Sequence, residues 1–212
     1  MLIKEQTIKA VVRRAHHSIQ NPAWNLLNSI VWMRYEISST DLTEELNSME
    51  QNVERIRGIA EDFSRFLKPL SQRMESFDLL EIINSVIFRN QTKDRDIQKS
   101  FPDTVVNIKG DKADIEWVIE ELIQNAFKYD AMYISISVTL SSELATILFK
   151  DNGSGIKVEN IENLFVPFKV ASGQGTGLGL ANAKRIINAH RGELLYIGPN
   201  DKPPKNPVQS LR

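Results

Sequence analysis

The chain has 212 residues, 42% of them apolar and 25% charged, enough material for one large or two small folded domains. Its formal net charge of −1, with the signs interspersed, offers no basic field, so neither nucleic acid nor an anionic membrane is expected as a partner. With no cysteine there can be no disulfide, thiolate metal site or cysteine nucleophile, and three histidines make a multi-histidine metal site improbable.

No apolar run approaches the roughly 20 residues needed to span a bilayer, and the N-terminal residues lack a signal-like apolar core. A cytoplasmic location is therefore expected, with no direct membrane span. From Ile8 the apolar residues recur at Val12, Ala15, Ile19, Pro22, Leu26 and Met33, in steps of four and three that make a heptad seam. A second run, Leu42, Leu46, Met49, Val53, Ile56, Ala60, Phe63 and Leu67, keeps the same alternation without a break. Between them SSTDLTEEL supplies Ser39, Thr40 or Asp41 as an N-cap, with Glu44 and Glu45 in the first turn. These features predict an antiparallel helical hairpin over residues 1–70. Two such stripes cannot cover each other fully, so a four-helix bundle completed by a second copy is expected, and with it a homodimer.

From about residue 75 the pattern becomes mixed. FDLLEIINSVIFRN reads as a helix, RDIQKSF and TVVNIKG as short strands, and KADIEWVIEELIQNAFKY as a long helix capped by Asp111. That helix should bury Ile115, Val118, Ile119, Leu122 and Ala126. MYISISVTL alternates Ile134, Ile136, Val138 and Leu140 inward, and LATILFKD follows as its hairpin partner. The fold class expected is α+β: the helical hairpin, then an α/β sandwich over residues 75–198 with a mixed sheet covered by helices on one face. Residues 199–212 are a proline-rich tail.

Glu121, Asn125 and Lys128 stand at i, i+4 and i+7 of the long helix, so a carboxylate, an amide and an ammonium share one face. Alone, such a face is most often merely solvated. DNGSGI, Asp151 to Ile156, closes a strand with a tight turn that leaves a carboxylate at its start. GQGTGLGLA then runs glycines 173, 175, 177 and 179 into a helix, where close backbone approach and unpaired N–H groups suit a phosphate. Neither standard phosphate motif is present. A GxGxxG from Gly175 would meet Leu180, one from Gly177 would meet Asn182, and there is no GxxxxGK[ST].

ELIQNAFKY, DNGSGI, NLFVPF and GQGTGLGLA, in this order and spacing, resemble the N, G1, F and G2 boxes of bacterial two-component sensor histidine kinases. The resemblance extends over nearly the whole chain. It implies that Asn125 holds the Mg²⁺ bridging the ATP phosphates, that Lys128 contacts phosphate and that Tyr129 lies by the adenine. It implies likewise that Asp151 accepts from the adenine amino group, with Gly153 and Gly155 shaping the pocket. Phe165 and Phe168 would anchor the lid over ATP, and the loop of Gly175, Thr176, Gly177, Leu178 and Gly179 would wrap the triphosphate. ATP and Mg²⁺ are thus the expected cofactors, and the receiver domain of a response regulator the expected partner.

The family's phosphoacceptor histidine lies five residues before a proline, which selects His17 ahead of Pro22 and not His16. The heptad points the same way: with Ala15 and Pro22 at d and Ile19 at a, His17 falls at f, farthest from the seam, and His16 at e. Trp24 also falls at f, as an exposed docking residue. The family usually has an acidic residue after the histidine; here it is Ser18, which cannot act as a base at neutral pH. Glu121 is one substitute. Asn21 matches a position that helps the family dephosphorylate the response regulator. Two alternatives stand beside the kinase: a weak-autokinase phosphorelay or scaffold dimer, and a non-kinase ATPase of the same fold, such as topoisomerase, heat-shock chaperone and mismatch-repair enzymes. The short stretch between Phe168 and Gly175 and the form of GTGLGLA favour the kinase. The resemblance also implies a strand beyond GELLYIG, which the proline-rich tail is not expected to supply, and no sensor segment is expected ahead of the first helix.

Overall fold

The computed structural model describes residues 23–28, 30–31, 33–34, 43–70, 73–141, 144–167, 169 and 177–198. The chain divides into two compact units, Met1–Pro69 with Ser172–Leu178, and Leu70–Ala171 with Gly179–Arg212.

In the first unit, residues 23–28, 30–31 and 33–34 are helical and belong to α1, and α2 spans Thr43–Leu67. Arg34 Nη1 pairs with Glu50 Oε2 at 2.9 Å, and the Arg57 guanidinium stands 6.0 Å from the centre of the Trp24 ring. Later residues of α1 thus meet earlier residues of α2, the antiparallel hairpin expected from the heptads. Ala23, Ile30, Leu46 and Val53 form its buried cluster, with Leu27 packed against them. The seam on α1 is displaced from the expected one, because Leu26 and Met33 are exposed. On α2 the expected stripe splits: Leu46, Val53 and Ala60 are buried, whereas Met49 and Ile56 are exposed. A helix facing one neighbour buries one row of side chains, and the second row of a heptad stripe then faces elsewhere.

The second unit begins with β1, Glu75–Asp78, which pairs antiparallel with β3, Asn107–Gly110, through Phe77 opposite Ile108. Helix α3 spans Leu79–Asn90, so the first residues of the expected helix are strand instead. Asp78 causes the change: its backbone is extended, and its Oδ1 accepts the Leu80 N–H at 3.0 Å as an N-cap. A separate mixed sheet joins β2, Asp96–Ser100, parallel to β4, Tyr133–Ser141, and β4 antiparallel to β5, Leu144–Asp151. Ile134, Ile136 and Val138 are buried as expected, but Leu140 is 47% exposed. The pairing with β2 ends at Ser137, three residues before Leu140.

Between β3 and β4 lies α4, Lys112–Lys128, capped by Asp111 Oδ1, which accepts the N–H groups of Ala113 and Asp114 at 3.0 and 3.2 Å. Ile115, Ile119, Ile123 and Phe127 of α4 join the main core with Ile82, Ile83, Val86 and Ile87 of α3 and the buried residues of β4. Val118 packs with Ala183 and Ile186 of α6, Gly179–Ala189, and Leu122 lies against them. The single stripe expected on α4 is therefore two adjoining faces. At about 100° per residue, Glu121, Asn125 and Lys128 border the face that meets α6. A short helix α5, Val158–Ile161, follows the turn after β5. Among the described residues no helix is long and apolar enough to cross a membrane.

Candidate functional site

Three segments of the second unit meet at one place: the C-terminal turns of α4, the turn after β5 and the first residue of α6. Asn125 is half-buried, and its Nδ2 donates to Glu121 O at 2.9 Å and to Glu121 Oε1 at 2.8 Å. Both partners are acceptors, so the nitrogen of the amide must face them, and Oδ1 is the end that remains for a ligand. The Glu121 carboxylate also lies against Gly179, where an added Cβ would stand 1.8 Å from Oε1 and 2.7 Å from Cδ. Lys128 is exposed in the last turn of α4, with Nζ 6.0 Å from the centre of the Tyr129 ring. Tyr129 ends the helix, and its carbonyl accepts the N–H of Ser154 at 2.9 Å and the Ser154 hydroxyl at 3.2 Å.

That carbonyl ties α4 to the DNGSGI turn. Asp151 Oδ1 accepts the Gly153 N–H at 2.9 Å, leaving the second carboxylate oxygen at the exposed rim. A Cβ on Gly153 would sit 2.5 Å from Tyr129 O and 3.0 Å from Asp151 Oδ1, so only glycine lets the turn approach the helix end. Gly155 has φ +72° with open space around it, and its requirement is conformational. Asn152 anchors the other side: its Oδ1 accepts the N–H groups of Met132 and Tyr133 at 3.0 and 2.9 Å. Phe165 is half-buried, with Lys184 Nζ of α6 4.4 Å from its ring centre.

The structure thus brings together Glu121, Asn125, Lys128, Tyr129, Asp151, Gly153 and Gly155, with Gly179 against Glu121. Gly177, at φ +66°, and the buried Leu178 group with the first unit. His17, Asn21, Phe168, Gly175 and Thr176 lie outside the described residues. Asn152, Ser154 and Lys184 escaped the sequence reading. Asn152 and Ser154 lie inside the quoted DNGSGI turn and could have been suspected, whereas nothing in sequence links Lys184 to Phe165.

Among the described residues no group of three or more histidine or acidic side chains could hold a metal ion by itself. A divalent cation here would need oxygens from an anionic ligand beside the Asn125 amide, and a hard, octahedral cation with substrate phosphates fits that donor set. Gly153 and Gly179 mark two close approaches that a side chain would fill.

Residues 110–207 match the family described as "Histidine kinase-, DNA gyrase B-, and HSP90-like ATPase". The sensor histidine kinase ZraS of Escherichia coli is 25% identical over 88% of this chain and 42% of its own length. Across the curated relatives compared, the chain spans between 28% and 42% of their length. Among solved structures, the catalytic domain of the histidine kinase ThkA superposes with a TM-score of 0.53 at 26% identity, over 57% of this chain and 86% of that one. Full-length ShkA in complex with AMPPNP shares the fold over 86% of this chain and 41% of that one, with a TM-score of 0.69 at 13% identity. The match over residues 110–207, these relatives and the shared fold together support a sensor histidine kinase catalytic, ATP-binding domain in this chain.

Proposed function

We propose that the chain is the catalytic core of a protein-histidine kinase: it binds Mg²⁺-ATP, phosphorylates its own His17 within a homodimer and passes the phosphoryl group to an aspartate of a response regulator. The observation that carries this is the junction of α4 and the DNGSGI turn, where the carbonyl of Tyr129, next after Lys128 and four residues after Asn125, accepts from Ser154 in the turn that Asp151 opens. The second oxygen of Asp151 accepts from the adenine amino group, beside the Tyr129 ring. Lys128 takes a phosphate, and the segment of Gly175, Thr176, Gly177, Leu178 and Gly179 wraps the triphosphate, with Phe165 and Phe168 at the base of the lid. Asn125 Oδ1 holds Mg²⁺, which when bound offsets the charge of the phosphates.

In the transfer an imidazole nitrogen of His17 forms a bond to the γ-phosphorus while the bond to the bridging oxygen breaks, and ADP leaves with that electron pair. The imidazole proton must go to a base. Ser18 cannot take it, and Glu121 is the carboxylate nearest the proposed metal ligand. Asn21, four residues beyond His17 in sequence, orients water for dephosphorylation of the regulator. The second row of exposed apolar residues on the hairpin, Leu26, Met33, Met49 and Ile56, supports the homodimer. Ser18 favours one second reading, a slow autokinase that mainly relays phosphate.

The test is incubation of the chain with γ-labelled ATP and Mg²⁺, comparing wild type, His16→Gln, His17→Gln and Ser18→Glu. Acid-labile, base-stable label should form slowly, survive His16→Gln, vanish in His17→Gln and form faster in Ser18→Glu, whose carboxylate can hold the imidazole proton. Label on His16, or none despite bound ATP, overturns the kinase reading in favour of the relay or scaffold. Asp151→Asn should weaken ATP binding by about ten-fold or more, and unchanged binding rejects its adenine contact.

A further inference from the structure

We infer that Glu121 is a positioning residue that sets the orientation of the Asn125 amide, and that Gly179 at the start of α6 holds it there. The inference rests on the reading of Asn125 as the Mg²⁺ ligand and adds what makes that ligand competent. An asparagine amide has two nearly isosteric ends, and only its oxygen binds a hard cation. Turned the wrong way, it presents an NH₂ group to the metal. On α4 the backbone carbonyl of Glu121, 2.9 Å from Nδ2, favours the correct orientation, and the Glu121 carboxylate, 2.8 Å away, adds a charged acceptor. The carboxylate reaches this position by lying against the Cα of Gly179, since a Cβ there would be 1.8 Å from Oε1. The glycine therefore serves a purpose besides backbone approach to phosphate: it leaves room for the side chain that orients the metal ligand.

This role differs from that of a base. A base needs the carboxylate, whereas orienting an amide needs only an acceptor oxygen. Glu121→Gln keeps such an oxygen, so it should keep Mg²⁺-dependent ATP binding within about three-fold of wild type. Glu121→Ala should lose at least ten-fold of the gain in ATP affinity that Mg²⁺ gives, with little change in ATP binding in EDTA. Gly179→Ala should also lose the gain that Mg²⁺ gives, and, because Gly179 belongs to the segment proposed to wrap the triphosphate, it should weaken ATP binding in EDTA as well. Adding Asn125→Asp to Glu121→Ala should restore the Mg²⁺ dependence, because a carboxylate presents an oxygen in either orientation. Asn125→Asp alone should not, since it sets two carboxylates side by side.

Calorimetric titration of the full chain with ATP, in Mg²⁺ and in EDTA, reads these outcomes, with circular dichroism as the folding control. The side-chain amide protons of Asn125, followed by nuclear magnetic resonance without nucleotide or metal, give an independent readout: slow exchange in wild type and Glu121→Gln, fast exchange in Glu121→Ala. Unchanged Mg²⁺ dependence in folded Glu121→Ala overturns the inference, as does an amide signal indifferent to that substitution. If wild type binds no ATP, the proposed function fails, and the amide signal alone still decides the role of Glu121.

Discussion

The backbone N–H of Asp111 donates to His190 Nε2 at 2.9 Å, which joins the start of α4 to the residue just beyond α6. His190 is buried, and its Nδ1 lies 2.8 Å from Ile186 O, so the neutral ring with the proton on Nδ1 satisfies both neighbours. This third histidine is thus a joint between the two helices that carry the candidate site, at their ends opposite Asn125.

Removing the joint should loosen α4 from its capped end. His190→Ala leaves a buried N–H without its acceptor and opens a cavity, together costing about 2–4 kcal/mol. Gly110→Ala should act in the same direction, because its Cβ would lie 2.7 Å from His190 Cδ2. Hydrogen exchange of the first α4 amides checks both, and protection equal to wild type in either variant would remove His190 from this role.

The two glycines of the DNGSGI turn should respond differently to alanine. At Gly153 the obstacle is the backbone oxygen of Tyr129, 2.5 Å from the added Cβ, which cannot move without unseating the end of α4. At Gly155 the space is open and the cost is the left-handed φ, about 1–2 kcal/mol. Gly153→Ala should therefore weaken Mg²⁺-ATP binding by more than ten-fold, and Gly155→Ala by less. Titration calorimetry checks the order, and a reversed order would mean that the turn does not need its contact with Tyr129.

Lys184 should restrain the segment after α5. Its ammonium stands 4.4 Å from the Phe165 ring centre, in a cation–π geometry worth about 0.5–2 kcal/mol. Lys184→Ala should raise hydrogen exchange over residues 162–167 by about two-fold or more, and Lys184→Arg should keep it near wild type. Equal exchange in all three proteins would show that Phe165 is held by its other neighbours.

Local chemistry made much of this architecture legible. Asp111 announces the start of α4, the alternation of Ile134, Ile136 and Val138 gives the covered face of β4, and the spacing of Glu121 and Asn125 puts them within reach of each other. What escaped depends on distances that sequence spacing does not encode. The apolar residues of α4 serve two neighbours because α6, more than fifty residues later in the chain, returns to pack on Val118. Leu140 lies beyond the part of β4 that pairs with β2 and is exposed, and Asp78 is held out of the helix because its own side chain caps it. Lys184 reaches Phe165 through space alone.

The hairpin carries the last expectation. Leu46, Val53 and Ala60 are buried in a single chain, while Met49 and Ile56, the intervening heptad positions, are 44% and 39% exposed. On α1, Leu26 and Met33 stand a heptad apart and are likewise exposed. Apolar rows repeated every seven residues on both helices are suited to the same rows of a second copy, which would cover them as the other two helices of a bundle. Met49→Glu with Ile56→Glu places charges on this row and leaves the buried one intact. The double variant should retain wild-type helicity by circular dichroism yet sediment as a monomer at concentrations where wild type is a dimer. A wild-type chain that is monomeric at tens of micromolar, or a double variant that still dimerises, would show that these rows do not hold two copies together. A variant that loses its helicity would instead mean that Met49 and Ile56 stabilise the hairpin itself.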